Sequence, residues 1–173
     1  MKKLFLISVS AIMLSTFAAG VARADWGDQY LMAKVGVMFL DINDADDLMT
    51  VGLIYGFGVS ETITLEGEYN TTVSGGEYDI GTDEGEFSVW TLAAYGVYRH
   101  SFTDAIYLKA KLGILHEDVE RDGLLINESA SDTGGAGGLG LGFVVGESLT
   151  VEAEYTVVEE DVQFFNVGLH YAF

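Results

Sequence analysis

The stretch Gln163 to Phe173 (QFFNVGLHYAF) alternates in polarity residue by residue. Phe165, Val167, Leu169, Tyr171 and Phe173 fall on one side, and Phe164, Asn166, Gly168, His170 and Ala172 on the other. A period of two marks a strand, whose successive side chains point to opposite faces. The same period recurs along the chain over Tyr30–Leu40, Leu48–Val59, Ile63–Val73, Phe87–Tyr98, Ile106–Leu115, Thr133–Val145 and Leu149–Val158. One row is apolar nearly throughout, for example Leu31, Ala33, Val35, Val37 and Phe39, or Ile106, Leu108, Ala110, Leu112 and Ile114. The other row mixes glycine, hydroxyl and charged residues. Over Phe87–Tyr98 both rows are apolar, and the pattern is phased with Phe87, Val89, Ala93, Tyr95 and Val97 outward and Trp90, Leu92, Gly96 and Tyr98 inward.

Eight strands of this length match the roughly 9–11 residues that a tilted membrane-crossing strand needs. The connections alternate: long and acidic at 41–47, 74–86, 117–132 and 159–161, short near 60, 100 and 146. In membrane barrels the short turns face the periplasm and the long loops face outside. The pattern therefore predicts an all-β fold, an eight-stranded antiparallel up-and-down transmembrane β-barrel. A repeat supports the register, since Gly52–Asn70 aligns without gaps to Gly138–Thr156 at an offset of 86 residues. Gly52, Gly56, Glu66 and Glu68 are among the positions that recur.

Composition narrows the picture further. There is no cysteine, so disulfides and thiolate chemistry are excluded. The formal charge is −19 although 49% of residues are hydrophobic, so acidic and apolar positions must be segregated. A chain this acidic does not suit nucleic-acid phosphates. Lys2 and Lys3, the apolar run Leu4–Leu14 and the A-R-A exit at Ala22–Ala24 predict a signal peptide over residues 1–24, cleaved before Asp25, with a retained anchor as the competing reading. Residues 25–173 then form the barrel domain.

Seven charges lie mid-strand on the row opposite the apolar one: Lys34, Glu66, Glu68, Lys109, Lys111, Glu152 and Glu154. With the apolar row against lipid they point into a lumen just wide enough to be filled by side chains. The expectation is a layer of Glu–Lys pairs closing that lumen; the competing reading is a hydrated outer surface of a soluble sandwich. Outside, the four long connections hold 18 of the 27 acids against one base, Arg121. They suit an extracellular partner or divalent cations, or form a solvated crown of like charges. Asp41-x-Asn43 opens like a calcium loop, but Ala45 replaces the third ligand and the distal Glu is absent. Asp44, Asp46 and Asp47 are left as weak cation contacts, with no metal site or cofactor predicted.

Two motifs carry little. Gly135–Gly140 satisfies G-x-G-x-x-G but lies within a strand pattern and opens no helix. Inward glycines there make room for the larger side chains opposite. His116, at the outer rim, is the only histidine placed like a surface base, with Ser88, Ser129 or Ser131 as the hydroxyls that approach in space, and a plain interfacial histidine as the alternative.

On these residues the chain resembles the small eight-stranded outer-membrane barrels of the OmpA transmembrane-domain and OmpX/Ail type, porin-family barrels in the loose sense. The signal peptide, the eight alternating segments, the inward Glu/Lys set and the terminal NVGLHYAF carry the likeness. It implies residence in the Gram-negative outer membrane as a monomer among lipid and lipopolysaccharide, with a structural, envelope-stabilising or adhesin-like role and no enzymatic activity. It also implies that the row Phe165, Val167, Leu169, Tyr171 and Phe173 serves as the signal read by the outer-membrane assembly machinery. No periplasmic peptidoglycan-binding domain is expected. A narrow ion or small-solute channel is the alternative, and a lipid A-modifying enzyme a third.

Overall fold

The computed structural model describes residues 28–40, 47–73, 76–80, 83–123, 127–158 and 162–173. The leader over 1–24, the acidic positions Asp41–Asp46 and the loop 159–161 lie outside the described residues. Among the described residues nine strands form: β1 (Gln29–Leu40), β2 (Leu48–Gly58), β3 (Ile63–Thr72), β4 (Gly76–Ile80), β5 (Asp83–Ser101), β6 (Ile106–Gly123), β7 (Asn127–Val144), β8 (Leu149–Val158) and β9 (Val162–Ala172). All neighbours pair antiparallel. Eight of the strands close into a barrel, because β9 pairs with β1 and β3 pairs with β5, while β4 pairs with β5 alone. Closure removes every sheet edge at membrane depth, where an unpaired backbone group is costly. No helix among the described residues is long and apolar enough to cross a membrane.

Burial follows the period of two. Outward side chains such as Leu53, Leu65, Leu112, Ile114, Leu139, Leu169 and Tyr171 are exposed, and their inward neighbours are buried. An apolar exterior around a polar interior inverts the soluble plan and fits a lipid surround. Tight turns join β2 to β3, β5 to β6 and β7 to β8, closed by the backbone bonds Val59 N to Ile63 O, Phe102 N to Ile106 O and Val145 N to Leu149 O. Both termini of the barrel lie at that same end, where Phe173 N bonds Gln29 O at 3.0 Å.

Two expectations fail. The phase of β5 is reversed: Val89, Thr91, Ala93, Tyr95, Val97 and Arg99 are buried in the lumen, and Leu92 and Tyr98 are exposed on the lipid side. Hydrophobicity could not decide between two apolar rows, but Thr91 and Arg99 share the parity of Val89 and belong inside. Two of the expected long loops, 74–86 and 117–132, are largely strand. β5, β6 and β7 run for 19, 18 and 18 residues. These lengths are well beyond the roughly 9–11 needed to cross the hydrocarbon. With β4 their outer parts form a four-stranded sheet that stands above the barrel.

Candidate functional site

The lumen is built in two tiers. At the periplasmic side the inward positions are Tyr30, Lys34, Glu66, Glu68, Arg99, Tyr107, Lys109, Lys111, Glu152 and Glu154, all buried. Glycines on neighbouring strands give these long side chains their space. Lys34 lies between Gly52 and Gly168, and Lys111 faces Gly138. A Cβ at Gly138 would meet Lys111 Cε at 3.0 Å.

Lys109 Nζ is the hub, at 2.9 Å from Glu66 Oε2, 2.8 Å from Glu152 Oε1 and 2.7 Å from Glu154 Oε2. Lys111 Nζ bridges Glu68 at 2.8 Å and Glu154 at 2.5 Å. Lys34 Nζ reaches Glu68 at 2.7 Å and Glu154 at 3.5 Å. The fourth cation is Arg99, absent from the seven charges expected from sequence. Its Nη2 lies 3.2 Å from Glu66 Oε1, its Nη1 donates to Thr64 Oγ1 at 3.3 Å, and its guanidinium stands 4.6 Å from the Tyr30 ring and 5.5 Å from the Tyr107 ring. The two tyrosines donate in turn, Tyr30 to Glu66 and Tyr107 to Glu152, the latter at 2.6 Å. Four carboxylates thus meet four cations. The balance matters because a buried charge without its partner is strongly destabilising.

Glu66, Glu68 and Glu154 bring carboxylate oxygens within 4.8 Å of one another, the spacing of a metal cage. The chemistry does not suit one, since Lys34, Lys109 and Lys111 already place ammonium groups against those oxygens.

The extracellular tier is different in kind. Met38, Leu48, Val89, Ala93, Leu115, Ala136, Val158 and Phe164 point inward and pack into one apolar cluster, with Val119 and Val162 against it. Sequence reasoning passed over this plug because its residues come from the mixed rows of several strands. Only their common height in the sheet brings them together.

Above the barrel, β7 pairs with β6 from Asn127 and with β8 only from Ala136, so among the described residues Asn127–Gly135 has a partner strand on one side only. Thr133 N, within that segment, is held by its neighbour Asp132 at 2.8 Å. His116 Nδ1 lies 2.8 Å from Thr133 Oγ1, and its ring sits 5.7 Å from Trp90. The hydroxyl at His116 is therefore Thr133's, while Ser131 pairs opposite Asp118 and Ser129 opposite Glu120. Tyr69 stacks 6.5 Å from Trp90, so Tyr69, Trp90 and His116 form a band of amphipathic rings at the outer rim. His170 stacks against Tyr30 inside the lumen at 3.9 Å, and His100 packs on Phe102 at the periplasmic turn.

A closed antiparallel barrel with an apolar exterior and a filled, charge-balanced interior is a membrane-spanning barrel of the Gram-negative outer membrane. The model of the outer membrane protein beta-barrel domain matches residues 6–173, and the chain belongs to that family. Among solved structures, Ail, the attachment invasion locus protein of Yersinia pestis, is similar at 21% identity, covering 86% of this chain and 99% of its own, with a TM-score of 0.61. Its complex with the heparin analogue sucrose octasulfate is similar at 20% identity, covering 85% and 97%, with a TM-score of 0.57. Neisserial surface protein A is similar at 12% identity, covering 84% and 96%, with a TM-score of 0.64. No curated protein sequence matches the chain.

Proposed function

We propose that this chain is a non-conducting surface-interaction barrel whose extracellular sheet makes the contacts. The carrying observation is the length of β5, β6 and β7, which continue past the barrel as a sheet whose Asn127–Gly135 segment has no second partner strand among the described residues. An open edge offers backbone donors and acceptors to a partner's extended segment. The sheet carries Glu117, Asp118, Glu120 and Asp132, while every Lys and Arg whose side chain is described points into the lumen. Such a surface selects cationic segments, or lipopolysaccharide phosphates through divalent cations. One solved structure of Ail holds the heparin analogue sucrose octasulfate, a compound of many sulfate groups. The opposite sign on this chain argues for a different ligand class on the shared scaffold.

The two tiers of the lumen support closure, the lower by ion pairs and the upper by apolar packing. An envelope-stabilising role and a monomeric state accord with that plug. The contact of His116 with Thr133 lies in the ring band of Tyr69 and Trp90 and reads as interfacial anchoring, so no enzymatic role is assigned. The leader over 1–24 is taken as the export signal. The row Phe165, Val167, Leu169, Tyr171 and Phe173 is taken as the assembly signal, and lower surface display after Phe173 deletion is the expected mark of it.

The test has two arms. In planar bilayers the purified protein should show no steady conductance; porin-like current would overturn the closed lumen and favour the narrow channel. On cells, neutralising Asp118, Glu120 and Asp132 together should abolish binding of cationic peptides and the magnesium dependence of lipopolysaccharide association. Unchanged binding would remove the sheet from the function.

A further inference from the structure

Between the charge layer and the apolar plug the inward rows pass through one neutral polar step. Towards the outside β2 runs Gly52, Thr50, Leu48, β8 runs Glu154, Thr156, Val158, and β9 runs Gly168, Asn166, Phe164. On β3 Asn70 follows Glu68, and Thr91 of β5 lies opposite Asn70. Thr50, Asn70, Thr91, Thr156 and Asn166 are all buried, as is Tyr95, which belongs to the apolar cluster. Glycines make the room for the two amides. A Cβ at Gly52 would fall on the Asn70 carboxamide, and one at Gly36 on that of Asn166.

The hydrogen bonds of this belt do not close on themselves. Asn70 Nδ2 donates to Glu68 Oε1 at 2.9 Å and to Thr91 Oγ1 at 3.0 Å, while Asn70 Oδ1 has no partner among the described residues. Asn166 Oδ1 accepts from Thr50 Oγ1 at 3.5 Å, while Asn166 Nδ2 has no acceptor there. The Tyr95 hydroxyl is likewise unpartnered. All three side chains rest on the same ions. Asn70 bonds Glu68, Asn166 pairs with Glu154 across β8 and β9, and Lys111, which bridges Glu68 and Glu154, stands 4.3 Å from the centre of the Tyr95 ring. Carboxylate oxygens of Glu68 and Glu154 lie within 4.8 Å of each other.

We propose that the belt is a site for buried water, held by Asn70 Oδ1, Asn166 Nδ2 and Tyr95 Oη. The balance of donors and acceptors selects the ligand. An anion would satisfy Asn166 and Tyr95 but not Asn70 Oδ1, which needs a donor. A metal ion would satisfy Asn70 Oδ1 but not Asn166 Nδ2, and it would add a fifth cationic group where four cations already meet four carboxylates. The ammonium groups of Lys34 and Lys111 are committed to Glu68 and Glu154. Water both donates and accepts, and a buried water typically makes about three such bonds to groups otherwise left unpaired. Turning the Asn166 amide over exchanges a spare donor for a spare acceptor and leaves the same demand. The belt thereby joins the ion pairs to the apolar tier without an unpaired buried group, which the interior of a folded protein rarely tolerates.

Crystals of the full barrel, grown with sodium or with rubidium in its place, test the site. An ordered peak should stand about 2.7–3.2 Å from Asn70 Oδ1 and from Asn166 Nδ2 or Tyr95 Oη, without anomalous signal in rubidium. Tyr95→Phe keeps the ring in the apolar cluster and removes only the hydroxyl. It should raise the unfolded-to-folded ratio in urea about fivefold, the worth of one hydrogen bond. A dry belt, a rubidium peak, or a Tyr95→Phe barrel as stable as the wild type or more so would each overturn the proposal. The crystals decide the matter even where the variant does not refold. The proposal rests on the closed lumen, and the two fail differently: porin-like current overturns the closure, whereas a dry belt in a non-conducting barrel overturns the water site alone.

Discussion

Two three-strand units of the barrel, β1–β2–β3 and β6–β7–β8, set the same residues at the same heights. Lys34 faces Gly52 and Tyr30 faces Gly56 in the first; Lys111 faces Gly138 and Tyr107 faces Gly142 in the second. On the third strands Glu66 pairs with Gly56 and Glu68 with Ile54, as Glu152 pairs with Gly142 and Glu154 with Gly140. The units differ at their centre. Met32 opposes Ile54 in one, where both are fully buried beside Tyr30, and Lys109 opposes Gly140 in the other. The repeated positions alone leave four carboxylates against two ammonium groups. Lys109 and Arg99, the two cations outside the repeat, bring the lumen to balance. A duplicated wall thus specifies the barrel, while its unduplicated residues specify the plug.

The sharpest way to break that comparison is to make the second unit copy the first. Lys109→Met should cost about 3–5 kcal/mol, because Glu66, Glu152 and Glu154 would lose a shared partner in a buried site. Urea unfolding in lipid vesicles measures it. Adding Glu152→Gln should return part of the loss, since one of the stranded charges is then gone. A cost below about 1 kcal/mol, the scale of a surface pair, would mean that the lumen is hydrated enough to screen its charges.

Arg99 should matter less than Lys109. Glu66 keeps Lys109 when Arg99 is removed, so Arg99→Met should cost about 2–3 kcal/mol, the worth of its charged hydrogen bonds and its place between two rings. Arg99→Lys keeps the charge but loses the planar fork and much of the stacking, and should cost about 1 kcal/mol. Equal losses for the two variants would show that geometry, and not charge, is what Arg99 supplies.

Arg99 also shows where the sequence stops being informative. On β1, β2, β6, β8 and β9 one row is apolar and the other is not, so the period of two fixes both the strand and its phase. On β5 the rows Val89-Ala93-Tyr95-Val97 and Trp90-Leu92-Ala94-Tyr98 are equally apolar. Phase there rests on Thr91 and Arg99 alone, and with it goes the fourth cation. Above the membrane the signal disappears for another reason. Glu117, Asp118 and Glu120 on β6 and Ser129, Ser131 and Asp132 on β7 put polar residues in both rows, so backbone pairing leaves little hydrophobic trace in the sequence. The apolar plug was hidden because no single strand contains it. Met38, Leu48, Leu115 and Phe164 meet only once the register is known.

The smallest effects test whether the repeated glycines act through space or through backbone freedom. A Cβ at Gly56 would fall on the ring of Tyr30, and one at Gly142 on the ring of Tyr107, closer than real contacts allow. Both rings are pinned, Tyr30 by Arg99 and Glu66 and Tyr107 by Glu152, so neither can step aside freely. Gly56→Ala and Gly142→Ala should therefore each cost about 1–3 kcal/mol, the usual range for overpacking. Gly67, on the lipid face of β3, has nothing within 4 Å of an added Cβ. Gly67→Ala should stabilise by about 0.4–1 kcal/mol, because it narrows the unfolded ensemble without crowding the folded one. If Gly67→Ala instead weakens the barrel as much as Gly142→Ala does, the glycines serve curvature of the wall and not the seats of the two tyrosines. The matched heights of Tyr30 and Tyr107 would then follow from the bend of the sheet alone.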